Sequence, residues 1–200
     1  MDLACGNGWL LYFFKQQGYG NLHGVDISPE QVKVARQVAP SVEQGSLFEY
    51  LGGVPARFDL ITAIDIIEHL QKDEVLAFLD ACCRALRPGG RLILQMPNAD
   101  SPMGLGTRYG DFTHEVMFNS HSLAGVLAVC GFVSFAAREG GAVPGSGVKS
   151  AVRRLLWQMI RQLIQAWHFI EMGNSGSGIF TRVFVATAVK PAAPLTPSSP

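Results

Sequence analysis

The chain has 200 residues, 48% of them hydrophobic, enough for a single domain with a sizeable core. Sixteen basic residues balance sixteen acidic ones, for a formal net charge of zero and a pI near 7.0. Nucleic-acid binders carry a basic excess, so this balance argues against a nucleic-acid partner. No signal peptide and no apolar run long enough to span a bilayer is evident.

In chain order, Met1 to Leu3 is an apolar stub with an acid, and it runs into the small-residue turn Ala4-Cys5-Gly6-Asn7-Gly8. Trp9 to Phe14 then has helical potential, ending at Gln17-Gly18-Tyr19-Gly20. This is a strand, a tight turn and a helix start, where glycines admit a ligand close to the backbone and the helix end adds positive potential. His23 to Ile27 reads as a second strand ending in Asp26, an acid placed to accept from the two hydroxyls of a ribose. Ser28-Pro29-Glu30-Gln31 starts a helix, with Ser28 as cap, Pro29 at the first position and Gln31 completing a capping box. That helix runs to Pro40, and Val42 to Gln44 is a third strand before the turn Gly45 to Phe48.

Phe58 to Ile64 is an apolar run that suits a central parallel strand, closed by Asp65. Asp73 to Leu86 predicts a helix with Val75, Leu76, Leu79 and Cys83 on its buried face. Arg87 to Gly90 ends it, Arg91 to Met96 is the fifth strand, and a long loop follows from Asn98 to Glu115. Leu123 to Val129 is helical, and Val133 to Ala137 and Phe180 to Val189 are the last strands. Alternating strands and helices predict an α/β fold with a doubly wound, mostly parallel, seven-stranded sheet (Rossmann-like) and an antiparallel terminal strand. The domain spans 1–190, with a helical insertion at about 148–172, and 191–200 reads as a disordered tail.

The four motifs Asp2 to Gly8, Val25 to Ser28, Phe58 to Asp65 and Leu86 to Gly90 resemble, in order and spacing, those of class I S-adenosylmethionine-dependent methyltransferases. The resemblance covers roughly the first half of the chain. It implies S-adenosyl-L-methionine as cofactor, held by Asp2, Ala4, Cys5, Gly6, Asn7, Gly8, Asp26, Ile27, Ser46, Leu47, Ile64 and Asp65. Ala4 stands where the family has its first glycine, which requires a negative φ there. Ser46 stands where an acid often bonds the adenine amine, leaving adenine selection to backbone and apolar contacts. In the family, further apolar residues and covering helices precede Asp2, so an N-terminal part of the first strand and its cap are expected upstream.

A small-molecule acceptor is expected at the long loop, where Arg108, Tyr109 and Asp111 are candidate substrate-binding residues. If the acceptor is a hydroxyl, His114 is the candidate general base, with Asp111 or Glu115 to orient it, the alternative being a loop-bridging role. His69 is expected to bind backbone in the loop after the fourth strand, and His23, His121 and His168 to lie on the surface. The four cysteines show no metal-ligand spacing and read as free thiols of a cytoplasmic protein; no metal is assigned. Gly6-Asn7-Gly8 also opens a dinucleotide fingerprint, but Leu11 stands where its third glycine belongs. The competing reading is a catalytically inactive binding or scaffold protein. Val152 to Ile170 carries a wide apolar stripe at helical spacing, with basic residues and tryptophans at its flanks. It is either a core or dimer-facing helix or a peripheral membrane contact.

Overall fold

The computed structural model, which describes residues 1–141 and 145–192, gathers seven strands into one sheet. The strands are β1 (Asp2–Leu3), β2 (Gly24–Asp26), β3 (Val42–Gln44), β4 (Phe58–Ile64), β5 (Leu86–Pro97), β6 (Val133–Glu139) and β7 (Val183–Val189). Their order is β3-β2-β1-β4-β5-β7-β6, with β7 antiparallel to both β5 and β6 and the other pairs parallel. The order reverses at β1, which pairs with β2 on one side and β4 on the other. Open α/β sheets bind ligands at the carboxyl ends of the strands beside such a reversal. The tail expected over 191–200 lies outside the described residues from 193 onward.

The helices are α1 (Trp9–Gln16), α2 (Pro29–Ala35), α3 (Leu47–Gly52), α4 (Lys72–Ala85), α5 (Gly104–Arg108), α6 (Ser120–Val129) and α7 (Val148–Met172), with a 3₁₀ turn at Ile67–His69. Ser28 caps α2 by accepting from Gln31 N–H at 3.3 Å. The reciprocal half of the expected capping box is absent, because Ser28 N–H donates to Asp26 Oδ1 at 2.9 Å instead. Neither α3 nor α5 is legible as periodicity, since each is under two turns long. In α4 the buried face is Val75, Phe78, Leu79 and Cys82, not the predicted set: Leu76 is 43% exposed and Cys83 lies at the margin. Phe78 is fully buried and turns the helix to its own side.

The main core joins β4, β5, β7 and α4 through Ile61, Leu92, Leu94, Phe184, Phe78 and Leu79. A smaller one under α1 and α2 gathers Cys5, Leu11, Val32, Ala35 and Val42. The α7 helix corrects a second expectation. None of its residues is buried, so it is not a core helix. Its partly covered edge is Trp157, Arg161, Ile164, Gln165 and His168, while Leu163, Trp167 and Ile170 of the apolar stripe are 68–83% exposed. Polar anchors decide the orientation. Arg161 bonds the Gly178 carbonyl at 3.0 Å and lies 3.6 Å from Glu139, and Trp157 Nε1–H donates to Glu139 at 3.4 Å. His168 and His23 are not free surface residues, since they pack on the Phe180 and Phe58 rings at 6.1 and 5.8 Å. Among the described residues no helix is long and apolar enough to cross a membrane.

Candidate functional site

The turn after β1 is held by its own backbone and by β2. Cys5 N–H donates to Val25 O at 3.0 Å and Gly8 N–H to Cys5 O at 2.9 Å. To make these bonds Ala4 adopts φ 52, not the negative angle expected of an alanine there. A left-handed alanine costs about 1–2 kcal/mol, which the cross-strand bonds offset. Gly8 has φ 83, and a Cβ on it would meet Ala35 at 3.1 Å, so glycine is required where α1 starts over α2. Gly6 differs: with φ 50, nothing lies within 4 Å of its Cβ position, so this side of the turn is open to a ligand. Asn7 is exposed and Cys5 is buried, with burial pushing its thiol up to about 12 and leaving it inert.

Asp26 ties the two strand ends together. Its Oδ2 accepts from Gly6 N–H at 2.8 Å and its Oδ1 from Ser28 N–H at 2.9 Å. A carboxylate oxygen can accept twice, so one position on each oxygen is left for a hydroxyl. Asp2 is 3% exposed and accepts from Thr62 Oγ1 at 2.7 Å. Burial outweighs that bond and raises its carboxyl to about 6. Asp2 thus braces β1 against β4 from inside the sheet.

The remaining cofactor candidates ring the same end of the sheet. Ile27 is 76% exposed, and Ile64 and Leu47 are half-buried. Ser46 spends its oxygen on capping α3, accepting from Phe48 N–H at 3.3 Å. Asp65, at φ 51, accepts from Gln95 Nε2 at 3.1 and 3.3 Å. Crowding by the protein raises its carboxyl although the residue keeps an exposed edge, and the nearby His69 and His114 act in the opposite sense.

Beyond Asp65 the 3₁₀ turn and the loop after β5 meet. Glu115 and Val116 N–H both donate to the Glu68 carbonyl, at 2.8 and 3.2 Å. This docking brings the His69 and His114 rings edge to face at 4.9 Å. His114 Nδ1 lies 3.1 Å from the Thr107 carbonyl. A carbonyl only accepts, so the neutral ring carries its proton on Nδ1 and keeps the Nε2 lone pair free. His69 binds backbone as expected, but that of the loop after β5, with Nδ1 3.3 Å from Thr113 O and 2.9 Å from Thr113 Oγ1. Asp111 is not close to His114: Nε2 is 4.0 Å from its Oδ2, and its Oδ1 accepts from Thr113 N–H and Oγ1, at 2.9 and 2.7 Å. Those bonds lower the Asp111 carboxyl. The Glu115 side chain makes no hydrogen bond to the ring.

Sequence reasoning missed Glu68, which is 2% exposed with Oε2 unpartnered and a carboxyl raised by burial to about 7. The signal was present as the adjacent Glu68-His69 pair closing the fourth strand's loop, but nothing linked it to His114. It also missed Asn98, buried, whose amide donates to Ile179 O and Thr181 O at 2.9 Å and ties the loop to the entry of β7. Of the substrate candidates, Arg108 donates to Glu115 O at 3.1 Å and lines a cavity of about 500 Å³ with Lys72, Leu76, Met117 and Phe118. Tyr109 and Asp111 are exposed and do not line it.

The sheet order, the glycine turn after β1 and the acid ending β2 define a class I S-adenosylmethionine-dependent methyltransferase fold. A model of a methyltransferase-domain family matches residues 1–135, and the chain belongs to that family. The ubiquinone biosynthesis O-methyltransferase of Xylella fastidiosa is 34% identical over 106 residues, covering 49% of this chain and 41% of the relative. The Idiomarina loihiensis protein of the same name is 31% identical over 106 residues, covering 49% and 42%. The chain thus spans about two fifths of these relatives' length. Among solved structures, a SAM-dependent methyltransferase from Archaeoglobus fulgidus superposes with a TM-score of 0.70 at 22% identity, covering 94% of this chain and 84% of that one. Haemonchus contortus phosphoethanolamine N-methyltransferase 2, solved with S-adenosyl-L-methionine, gives 0.60 at 17% identity, covering 95% and 48%. At these identities the structures speak to fold alone.

Proposed function

We propose that the chain is an S-adenosyl-L-methionine-dependent O-methyltransferase acting on the hydroxyl of a small molecule, of the sugar or lipid-linked kind, rather than a binding scaffold. The residues fit that cofactor. The open side of the turn at Gly6 and the unused acceptor positions of Asp26 would take the nucleoside, with Ile27, Ser46, Leu47, Ile64 and Asp65 around it. When bound, the cofactor supplies a methyl group already activated on a positively charged sulfur. The protein's share is alignment of the acceptor and removal of its proton, and alignment alone supplies several kcal/mol.

The observation that carries the reading is the free Nε2 of His114, fixed by the Nδ1–H bond to Thr107 O at 3.1 Å, beside the carboxyl ends of β4 and β5. A bound cofactor would supply the methyl group to the acceptor oxygen, and His114 Nε2 would take the proton that the hydroxyl gives up. The relatives named as O-methyltransferases support an oxygen acceptor. Arg108 binds the acceptor from the adjoining cavity, and Tyr109 and Asp111 hold its outer part. His114→Ala should lower kcat by roughly 10²–10⁴, the usual worth of a general base, while cofactor affinity holds. Near-normal turnover of a proven hydroxyl acceptor by that variant overturns the assignment.

The outward apolar stripe of α7, with Lys149, Arg153 and Arg154 exposed near its start, favours a peripheral contact with an anionic membrane surface. A dimer through the same face is the competing outcome.

A further inference from the structure

Between the start of α4, α6 and the chain after α5 lies the cavity of about 500 Å³, within the usual size of small-molecule sites. Its walls are apolar: Val75 and Leu76 from α4, Val126 from α6, and Val116, Met117 and Phe118 between them. Leu76, turned away from the core, faces this space. Lys72, Arg108 and Glu115 complete the lining and leave it one net positive charge. None of the three is in an ion pair among the described residues.

Arg108 carries the deciding detail. Its Nη2 donates to the Glu115 carbonyl at 3.1 Å, whereas its Nη1 is shut away from solvent with no hydrogen-bond partner among the described residues. A charged donor without water or an acceptor is costly, and an anionic oxygen satisfies it best. The same short helix serves the candidate base, because the Thr107 carbonyl accepts from His114 Nδ1–H at 3.1 Å. A molecule anchored on Arg108 is thereby set in register with His114, although His114 itself does not line the cavity.

We propose that this cavity binds an amphipathic acid, an apolar body ending in a carboxylate or a phosphate ester, with the acidic oxygens on Arg108 Nη1 and Lys72. The apolar walls take the body, and each methylene buried there adds to affinity. The two cations fix which end of the molecule leads. Glu115, exposed at the rim, disfavours a negative charge carried elsewhere on the molecule. On the hydroxyl-acceptor reading, on which this step rests, the occupant is the acidic, apolar part of the acceptor itself. Binding of the acid does not depend on that reading.

The test is calorimetric titration of the chain with octanoate, octyl phosphate and 1-octanol, with no cofactor or acceptor present. One site per chain is expected for at least one of the acids, and the tighter of the two names the acidic group. The neutral 1-octanol should bind roughly tenfold more weakly or worse. Lys72→Met and Arg108→Leu should each weaken the acid by roughly tenfold or more and leave 1-octanol where it was, a split that a merely loosened fold does not give. Matching melting curves establish that the variants fold. Lys72→Met, at an exposed position, carries the test if Arg108→Leu, which also loses the bond to Glu115, does not fold. No saturable binding of either acid, 1-octanol bound as tightly as the acids, or acids bound equally by the folded variants overturns the proposal. An acid bound as expected by a chain that methylates no hydroxyl would uphold the cavity's ligand and overturn the hydroxyl-acceptor reading instead.

Discussion

Asp26 is the point at which folding and cofactor binding meet, and its removal separates the two. Its carboxylate accepts from Gly6 N–H at 2.8 Å and Ser28 N–H at 2.9 Å, stitching the turn after β1 to the start of α2. A hydrogen bond to a charged group is worth about 1.5–3 kcal/mol. The residue is half-buried, so water replaces part of both bonds, and we expect Asp26→Ala to cost about 1.5–3 kcal/mol for the pair. A ribose hydroxyl on the remaining acceptor positions adds a comparable term to binding, which is roughly ten- to hundredfold in affinity. Calorimetric titration with S-adenosylhomocysteine, run well below the melting temperature, reads the second effect apart from the first. Asp26→Asn sharpens the comparison. One oxygen becomes an amide NH₂, which confronts either Gly6 N–H or Ser28 N–H, so this nearly isosteric change also loses stability and affinity. An Asp26→Ala chain that melts like the parent and binds the nucleoside equally well refutes the reasoning.

Other outcomes follow from single residues. Ala4→Gly should raise stability by about 1 kcal/mol in denaturant unfolding, because glycine takes φ 52 without the Cβ penalty. The Asp2 carboxyl, raised by burial from an ordinary 3.8 to about 6, favours the folded chain when protonated. Stability is therefore lost as pH rises from about 4 to about 6, by about 3 kcal/mol, and is flat above that. Asp2→Asn keeps an oxygen for Thr62 and removes the charge, so its melting temperature should gain on the parent's across that window and stay higher at pH 8. Leu163→Glu combined with Ile170→Glu, both on the exposed face of α7, should abolish flotation with anionic vesicles and leave melting unchanged. A parent chain that ignores vesicles and sediments as a dimer assigns the face to a second copy.

The sheet was most legible where an apolar strand is closed by an acid, as at Asp26 and Asp65, and β4 was read to its exact ends, Phe58–Ile64. The glycine turn and Asp26 were legible because a ligand-facing turn needs residue types that little else needs. The φ of Ala4 was not, since it follows from cross-strand bonds that Cys5 and Gly8 make in space. For α7 the helix and its bounds were legible but its packed face was not, for a similar reason. Periodicity told which face is apolar, whereas the packed face was chosen by Glu139, which holds Arg161 and Trp157. Glu68 and His114 meet only because two backbone bonds dock the loop after β5 on the Glu68 carbonyl, and no spacing along the chain announces that contact.

A crystal structure of the chain with S-adenosylhomocysteine tests the central claim most directly. The account predicts both ribose hydroxyls on the Asp26 carboxylate, the nucleoside over the open side of Gly6, and the sulfur directed toward the Glu68, His69 and His114 cluster. A nucleoside lodged elsewhere, or one whose sulfur points away from that cluster, would contradict it.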